Sequence, residues 1–218
     1  MDEAKLRREM CRVGASLFER GYVHATAGNI SVRLDDGFLI TPTDACLGFL
    51  DGDRLARVDA SGNAVAGDRP SKTLGLHRRI YAADPEARCV IHTHSTHLVA
   101  LSIAGAWSAG ELLPPITPYF VMKVGHVPLV AYHRPGDPAV GDLVGEAIGR
   151  FAARGAPIRA VMLERLGPNV WHDSPANAMA VLEELEETAK LWLLGGRSAK
   201  PLGEPQIEEL RRAFGARW

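Results

Sequence analysis

The sequence has little with which to bind nucleic acid, span a membrane or staple itself together. Its 25 Lys and Arg nearly cancel its 26 Asp and Glu, for a net charge of −1, so no broad positive field attracts nucleic acid or anionic lipid. No apolar stretch approaches the roughly 18 residues of a membrane-spanning helix. The charged start MDEAKLRREM lacks the apolar run of a secretion signal, and a cytoplasmic protein is expected. Cys11, Cys46 and Cys89 are odd in number, far apart and without a CxxC pair, which fits neither a disulfide framework nor a zinc ribbon. They read as buried small hydrophobes. No GxGxxG or GxxxxGK[ST] loop is present, so the usual nucleotide cradles are missing as well.

What is present is a chain of 218 residues, 46% of them hydrophobic, enough to bury one core without a structural metal. A single domain over residues 1–218 is expected. Leu6, Met10, Val13, Leu17 and Phe18 recur at helical steps between Asp2 and Arg20, with Gly21 as the stop. NISVRL and GFLITP form a hairpin about Asp35-Asp36-Gly37, and ARVDASGNAVAG repeats the pattern about Ser61-Gly62-Asn63. A helix opens at Pro70-Ser71 and runs to about Tyr81. Arg88 to His94 reads as a buried strand, followed by a helical LVALSIAG. Between Leu112 and Ala131, four prolines interrupt the β-prone ITPYFVM and VPLVAY, and strands or a long loop are both open. Asp142–Arg154 is helical in period. AVMLE and NVW are strands about a Gly167-Pro168 turn, and helices cover Pro175–Leu194 and Pro205–Phe214. Interleaved helices and hairpin-linked strands point to a mixed or largely antiparallel sheet covered by helices.

The sharpest chemical signal is Cys89-Val90-Ile91-His92-Thr93-His94. Alternation along a strand places His92 and His94 on one face, where two neutral imidazoles can hold Zn²⁺, Mn²⁺ or Fe²⁺ or be satisfied by hydrogen bonds in a polar seam. His97 reads as structural or supporting, and His24, His126, His133 and His172 as surface or hydrogen-bonded residues. His77 shares a helix face with Thr73 and can look toward the site. Thr26-Ala27-Gly28-Asn29 and Pro70-Ser71-Lys72-Thr73 offer backbone donors, hydroxyls and an ammonium that together suit a phosphate. Ser71 and Thr73 also suit ordinary helix caps, and Thr41-Pro42-Thr43-Asp44 is a third such turn.

In this order, TAGNISVR, LITPTD, RPSK with a helix ending LHRRIY, VIHTHSTH, LPPITPY and LEELEETAKLWLL resemble the class II aldolase/adducin family. The resemblance spans roughly residues 5–195. PSK, HSTHLVALS, PPITPYFVMKVG and YHRPGDP look most like that family's decarboxylases of 3-oxo-tetronate 4-phosphate. The resemblance implies a three-layer α/β/α fold about a central, mostly antiparallel sheet, a homotetramer with sites between subunits, and a divalent metal, zinc by preference and manganese as an alternative. It places His92 and His94 as metal ligands and Gly28, Asn29, Thr43, Ser71 and Lys72 on phosphate-holding turns. Tyr119 falls at a proton donor's place.

Three positions depart from the family pattern. Thr73 stands where an acidic acid/base is expected, and its hydroxyl takes up no proton near neutral pH. Leu166, in MLERLGPNV, stands at the third metal histidine and cannot bind a metal. Asp44 replaces a turn glycine and would repel a phosphate unless its carboxylate points away. Glu164, His126, His133 or a histidine of a neighbouring subunit are candidate replacement ligands. Two functions follow: a metal-assisted decarboxylase or lyase acting on a small phosphorylated sugar acid, since loss of CO₂ from a 3-oxo acid needs no base at carbon, or an adducin-like member that keeps the fold without catalysis.

Overall fold

The computed structural model of the protein describes residues 2–218. Helix α1 (Glu3–Glu19) starts where the Asp2 carboxylate accepts the Ala4 N–H, and it buries Leu6, Met10, Val13 and Leu17 along one stripe. Strands β1 (Asn29–Arg33) and β2 (Gly37–Ile40) form the first hairpin, and β3 (Ala56–Asp59) and β4 (Ala64–Ala66) the second. Helix α2 (Leu74–Ala83), strand β5 (Cys89–His92) and helix α3 (Thr96–Ala104) follow. Next come β6 (Leu129–Val130), α4 (Ala139–Ala152), β7 (Ala160–Leu163) and β8 (Gly167–His172), then α5 (Pro175–Leu194) and α6 (Glu204–Phe214).

The strands make one eight-stranded sheet in the order β4-β3-β2-β1-β5-β8-β7-β6, antiparallel throughout except for the parallel β6–β7 pair. Strand β5 alternates between its two faces. Cys89 and Ile91 join a core with Leu17, Leu98 and Leu185 from α1, α3 and α5, whereas Val90 joins Ile80 and Val144 from α2 and α4. Helices therefore cover both faces, which is the expected three-layer α/β/α fold.

Several local expectations shift. Helix α2 begins at Leu74, because Ser71 and its two successors form a turn closed by the Leu74 N–H to Ser71 carbonyl bond of 3.2 Å. The ITPYFVM run is no strand: Phe120–Val124 is a π-helical turn, and only Leu129 and Val130 pair in the sheet. Gly167 and Pro168 lie inside β8, and the turn falls on Glu164, Arg165 and Leu166, with Arg165 at φ +64°. Of the cysteines only Cys89 is fully buried; Cys11 and Cys46 are half-buried. No helix among the described residues is long and apolar enough to cross a membrane.

Gly167 is required by close approach. At its φ of +144° a Cβ would lie 1.9 Å from the Thr93 carbonyl oxygen, a contact that only backbone displacement relieves. Gly167→Ala should therefore destabilise the fold by about 3 kcal/mol or more, read by urea unfolding. A loss below about 1 kcal/mol would mean that β8 and the end of β5 are not held this tightly.

Candidate active site

The registers of β1, β5 and β8 bring Asn29, His92 and Asn169 abreast, since Asn29 pairs with His92 and His92 with Asn169. Directly opposed residues of antiparallel strands project to the same face, so these three side chains form a polar row at one end of the sheet. All three are buried, His92 being only 4% exposed. The His92 ring is oriented by a 2.9 Å bond between Nδ1 and the Pro168 carbonyl. Nδ1 thus carries the proton, and Nε2 is left with its lone pair.

His94 lies two residues past the end of the β5 ladder, yet the alternation persists, and the His92 and His94 ring centroids are 5.1 Å apart. Two imidazoles bound through Nε2 to one tetrahedral zinc, at Zn–N distances of about 2.0–2.1 Å, would have centroids about 5 Å apart. The pair therefore fits a divalent ion. Among the described residues no three His, Cys, Asp or Glu side chains are placed to share one. The exposed His24, whose ring centroid is 6.3 Å from that of His94, is the nearest further imidazole to the pair that the ring contacts show.

Thr73 and Leu166 do not complete such a shell. The Thr73 hydroxyl bonds the Ser71 hydroxyl at 2.9 Å, and Leu166 packs on the apolar cluster beneath α2 and α4. Glu164 turns its Oε2 to the Tyr132 N–H at 2.9 Å, away from a ligand role. His126 is stacked on Trp218 with its Nδ1 3.1 Å from Glu111, and His133 bonds the Ala131 carbonyl. His172 bonds Asp173. His97 is structural, as expected: its Nδ1 and backbone N–H both meet Glu186, whose other oxygen accepts the Leu98 N–H, closing the start of α3.

The three turns with the backbone donors and hydroxyls suited to an anion gather at the same end of the sheet. Gly28, at φ +86°, brings the chain so close that a Cβ would lie 2.8 Å from the His92 carbonyl oxygen. The turn after β2 lies against the one before α2 through a Pro42–Pro70 bridge, with the Ser71 N–H on the Thr41 carbonyl at 3.2 Å and the Thr43 N–H on the Arg69 carbonyl at 2.9 Å. Lys72 and Asp44 are exposed beside them. Asp44 adopts φ +58°, so it reproduces the left-handed backbone of a turn glycine, which aspartate tolerates better than most residues. Tyr119 is 58% exposed just before the π-helical turn.

From α2, His77 reaches over this face. Its Nδ1 bonds the Ser31 hydroxyl at 2.7 Å, and Tyr81 bonds the same hydroxyl at 2.8 Å. The periodicity of α2 made this inward turn legible. His24 and Asn169 were not singled out by spacing: His24 sits on an irregular segment, and Asn169 lies within a strand where only its polarity among Val and Trp could have flagged it.

This arrangement can be set beside known proteins. The family described as the Class II Aldolase and Adducin N-terminal domain matches residues 8–193. The chain belongs to the class II aldolase and adducin family. Within it, the chain is 57% identical to a 3-oxo-tetronate 4-phosphate decarboxylase of Cupriavidus necator, over 99% of both chains. It is 43% identical to a protein of the same name in Escherichia coli K12, over 96% of each. Among solved structures, YgbL of Klebsiella pneumoniae superposes with a TM-score of 0.85 at 43% identity, covering 97% of this chain and all of that one. An L-fuculose 1-phosphate aldolase shares the fold of this family member at a TM-score of 0.80 and 24% identity, over 97% of this chain and 96% of the other.

Burial sets the charge of the site. Desolvation pushes His92 down to about 4, with His94 adding to the effect, and His77 down to about 3, with His92 adding to it. His94 is lowered too, by burial first and by His24 second. A folded pKa below the unfolded value of about 6.5 means that the unfolded chain takes up protons first as pH falls. The fold should thus lose stability from about pH 6.5 downward, until about pH 4 for His92 and about pH 3 for His77. By pH 4.5 each buried histidine should cost about 2–3 kcal/mol relative to pH 7. Urea unfolding across this range should show a shallower loss in His77→Gln than in wild type; parallel curves would place His77 in water.

Proposed function

We propose that the chain is a lyase that decarboxylates a small 3-oxo sugar acid carrying a phosphate, such as 3-oxo-tetronate 4-phosphate, with His92 and His94 holding a divalent ion, zinc or else manganese. The observation that supports this most directly is the meeting of two neutral imidazoles, His92 buried and His94 half-buried, with three anion-holding turns at one end of the sheet, in a chain 57% identical to a protein of that name. A bound ion there would supply Lewis-acid stabilisation of negative charge on the 3-oxo oxygen.

The chain's own residues account for the rest. Ser71, Lys72, Thr43, Gly28 and Asn29 hold the phosphate, with the Lys72 ammonium neutralising it. The C1–C2 bond breaks, its electron pair becomes the C2=C3 bond, and the C3 carbonyl pair moves onto oxygen; CO₂ leaves and C2 then takes a proton from water or a hydroxyl. Tyr119 is our candidate donor for that proton, reaching the site from a neighbouring subunit of a homo-oligomer, a tetramer by preference. No step asks Thr73 to remove a proton, so the replacement of an acid/base by a hydroxyl is compatible with this reaction. Retro-aldol cleavage is not served in the same way, because it must deprotonate a hydroxyl.

Three observations favour a second reading, a non-catalytic adducin-like member. Thr73 is tied to Ser71, Leu166 lies in an apolar cluster, and among the described residues no three donor side chains converge.

Purified protein supplied with zinc or manganese, alongside His92→Ala, separates the two. The lyase should carry near one metal per chain and release CO₂ from the 3-oxo acid phosphate, with both lost in the variant, activity by about 100-fold or more. No metal, no CO₂ and no melting shift with sugar phosphates would establish the second reading.

A further inference from the structure

Asn169 is fully buried, and neither its Oδ1 nor its Nδ2 has a hydrogen-bond partner. An amide removed from water without partners is costly, and most buried polar side chains avoid that state. Two neighbours share the condition: Asn29 Oδ1, across β5 on the same face, and His77 Nε2, on the helix above that face. Elsewhere among the described residues only Trp192 Nε1 and His126 Nδ1 contribute such an atom, the latter lying 3.1 Å from Glu111 without hydrogen-bond alignment. Polar groups on the same face farther from the sheet end are paired: Ser31 with His77 and Tyr81, and Trp171 Nε1 with Asp84 at 2.9 Å. On this face of the sheet the unpaired groups thus lie in the row containing His92 and on His77 above it. Unpartnered polar atoms beside a candidate ion site call for a partner that the folded chain itself does not supply.

We propose that Asn169 is a substrate-contacting residue of this chain. A side-chain amide offers one acceptor and two donors in a plane, and the proposed 3-oxo acid carries a hydroxyl on the carbon next to its carbonyl. Oδ1 accepts from that hydroxyl while Nδ2 donates to the carbonyl oxygen, so Asn169 selects for an α-hydroxy-ketone skeleton, with the phosphate held separately by the turns. This rests on the decarboxylase reading of the site.

Asn169→Val tests it, because a binding role and a structural role predict opposite signs. With no protein partner to lose, the ligand-free variant should melt about 3 °C or more above wild type. The melting shift produced by a tetronate 4-phosphate, which keeps the carboxylate and hydroxyls, should fall by more than half, while the shift produced by inorganic phosphate stays unchanged. A variant that melts lower and keeps the full tetronate 4-phosphate shift overturns the proposal and leaves the decarboxylase reading intact. A wild type that responds to neither compound overturns both. Should the valine variant fail to fold, Asn169→Ser is judged by the same ligand shifts.

Discussion

The structure depends on the clamp around the end of β5. Strand β5 is hydrogen-bonded on both sides, to β1 and β8, and its last residue, His92, is fixed further by the Pro168 carbonyl. Both flanking strands can close in because each begins beside a glycine that no side chain could replace without displacing backbone, Gly28 against the His92 carbonyl and Gly167 against that of Thr93. The register that results decides which residues meet. A slip of one residue on either side would turn Asn29 or Asn169 to the opposite face and put Ile30 or Val170 beside His92.

The same clamp governs the chemistry. Taking His92 and His77 out of water keeps both neutral through the physiological range, and neutrality leaves a lone pair available on an imidazole whose other nitrogen is engaged. The stability lost on acidification and the lone pair that an ion would use therefore have one origin. Asn29 and Asn169 share in it, because the desolvation that suppresses protonation also deprives their amides of water. Stability given up at this end of the sheet is compensated by the two apolar layers, in which Trp171, Phe120 and Leu39 are almost wholly buried.

Much of this was legible in the sequence because the relevant periodicities are short. The i, i+2 relation of His92 and His94 and the helical steps of α1 and α5 survive translation into three dimensions almost unchanged. The turn chemistry was legible in part: Asp35-Asp36-Gly37 closes a hairpin as expected, whereas Gly167-Pro168 does not, because Arg165 takes the left-handed position two residues earlier. The π-helical turn at Phe120–Val124 was hidden because its residues are β-prone by type, and packing of Phe120, Val121 and Val124 into the core overrides that preference. Asn169 and His24 were hidden for another reason. Each meets the histidine pair through strand register or loop path, neither of which leaves a local pattern.

Thr73 and Leu166 change the site in different ways. Leu166 is well accommodated, since it packs in the apolar cluster beside Leu163 and Val130, and its effect is to subtract a donor from any ion held at His92 and His94. Thr73 remains polar, and its bond to Ser71 helps to shape the turn that starts α2. On the proposed reading, the first change would weaken metal retention, whereas the second would remove acid/base capacity but leave the turn backbone proposed to hold the anion. Reactions limited by proton removal suffer from both. A reaction that needs only a held anion and a stabilised oxyanion suffers from the first alone, which is why decarboxylation is the family chemistry that this pattern of losses spares most.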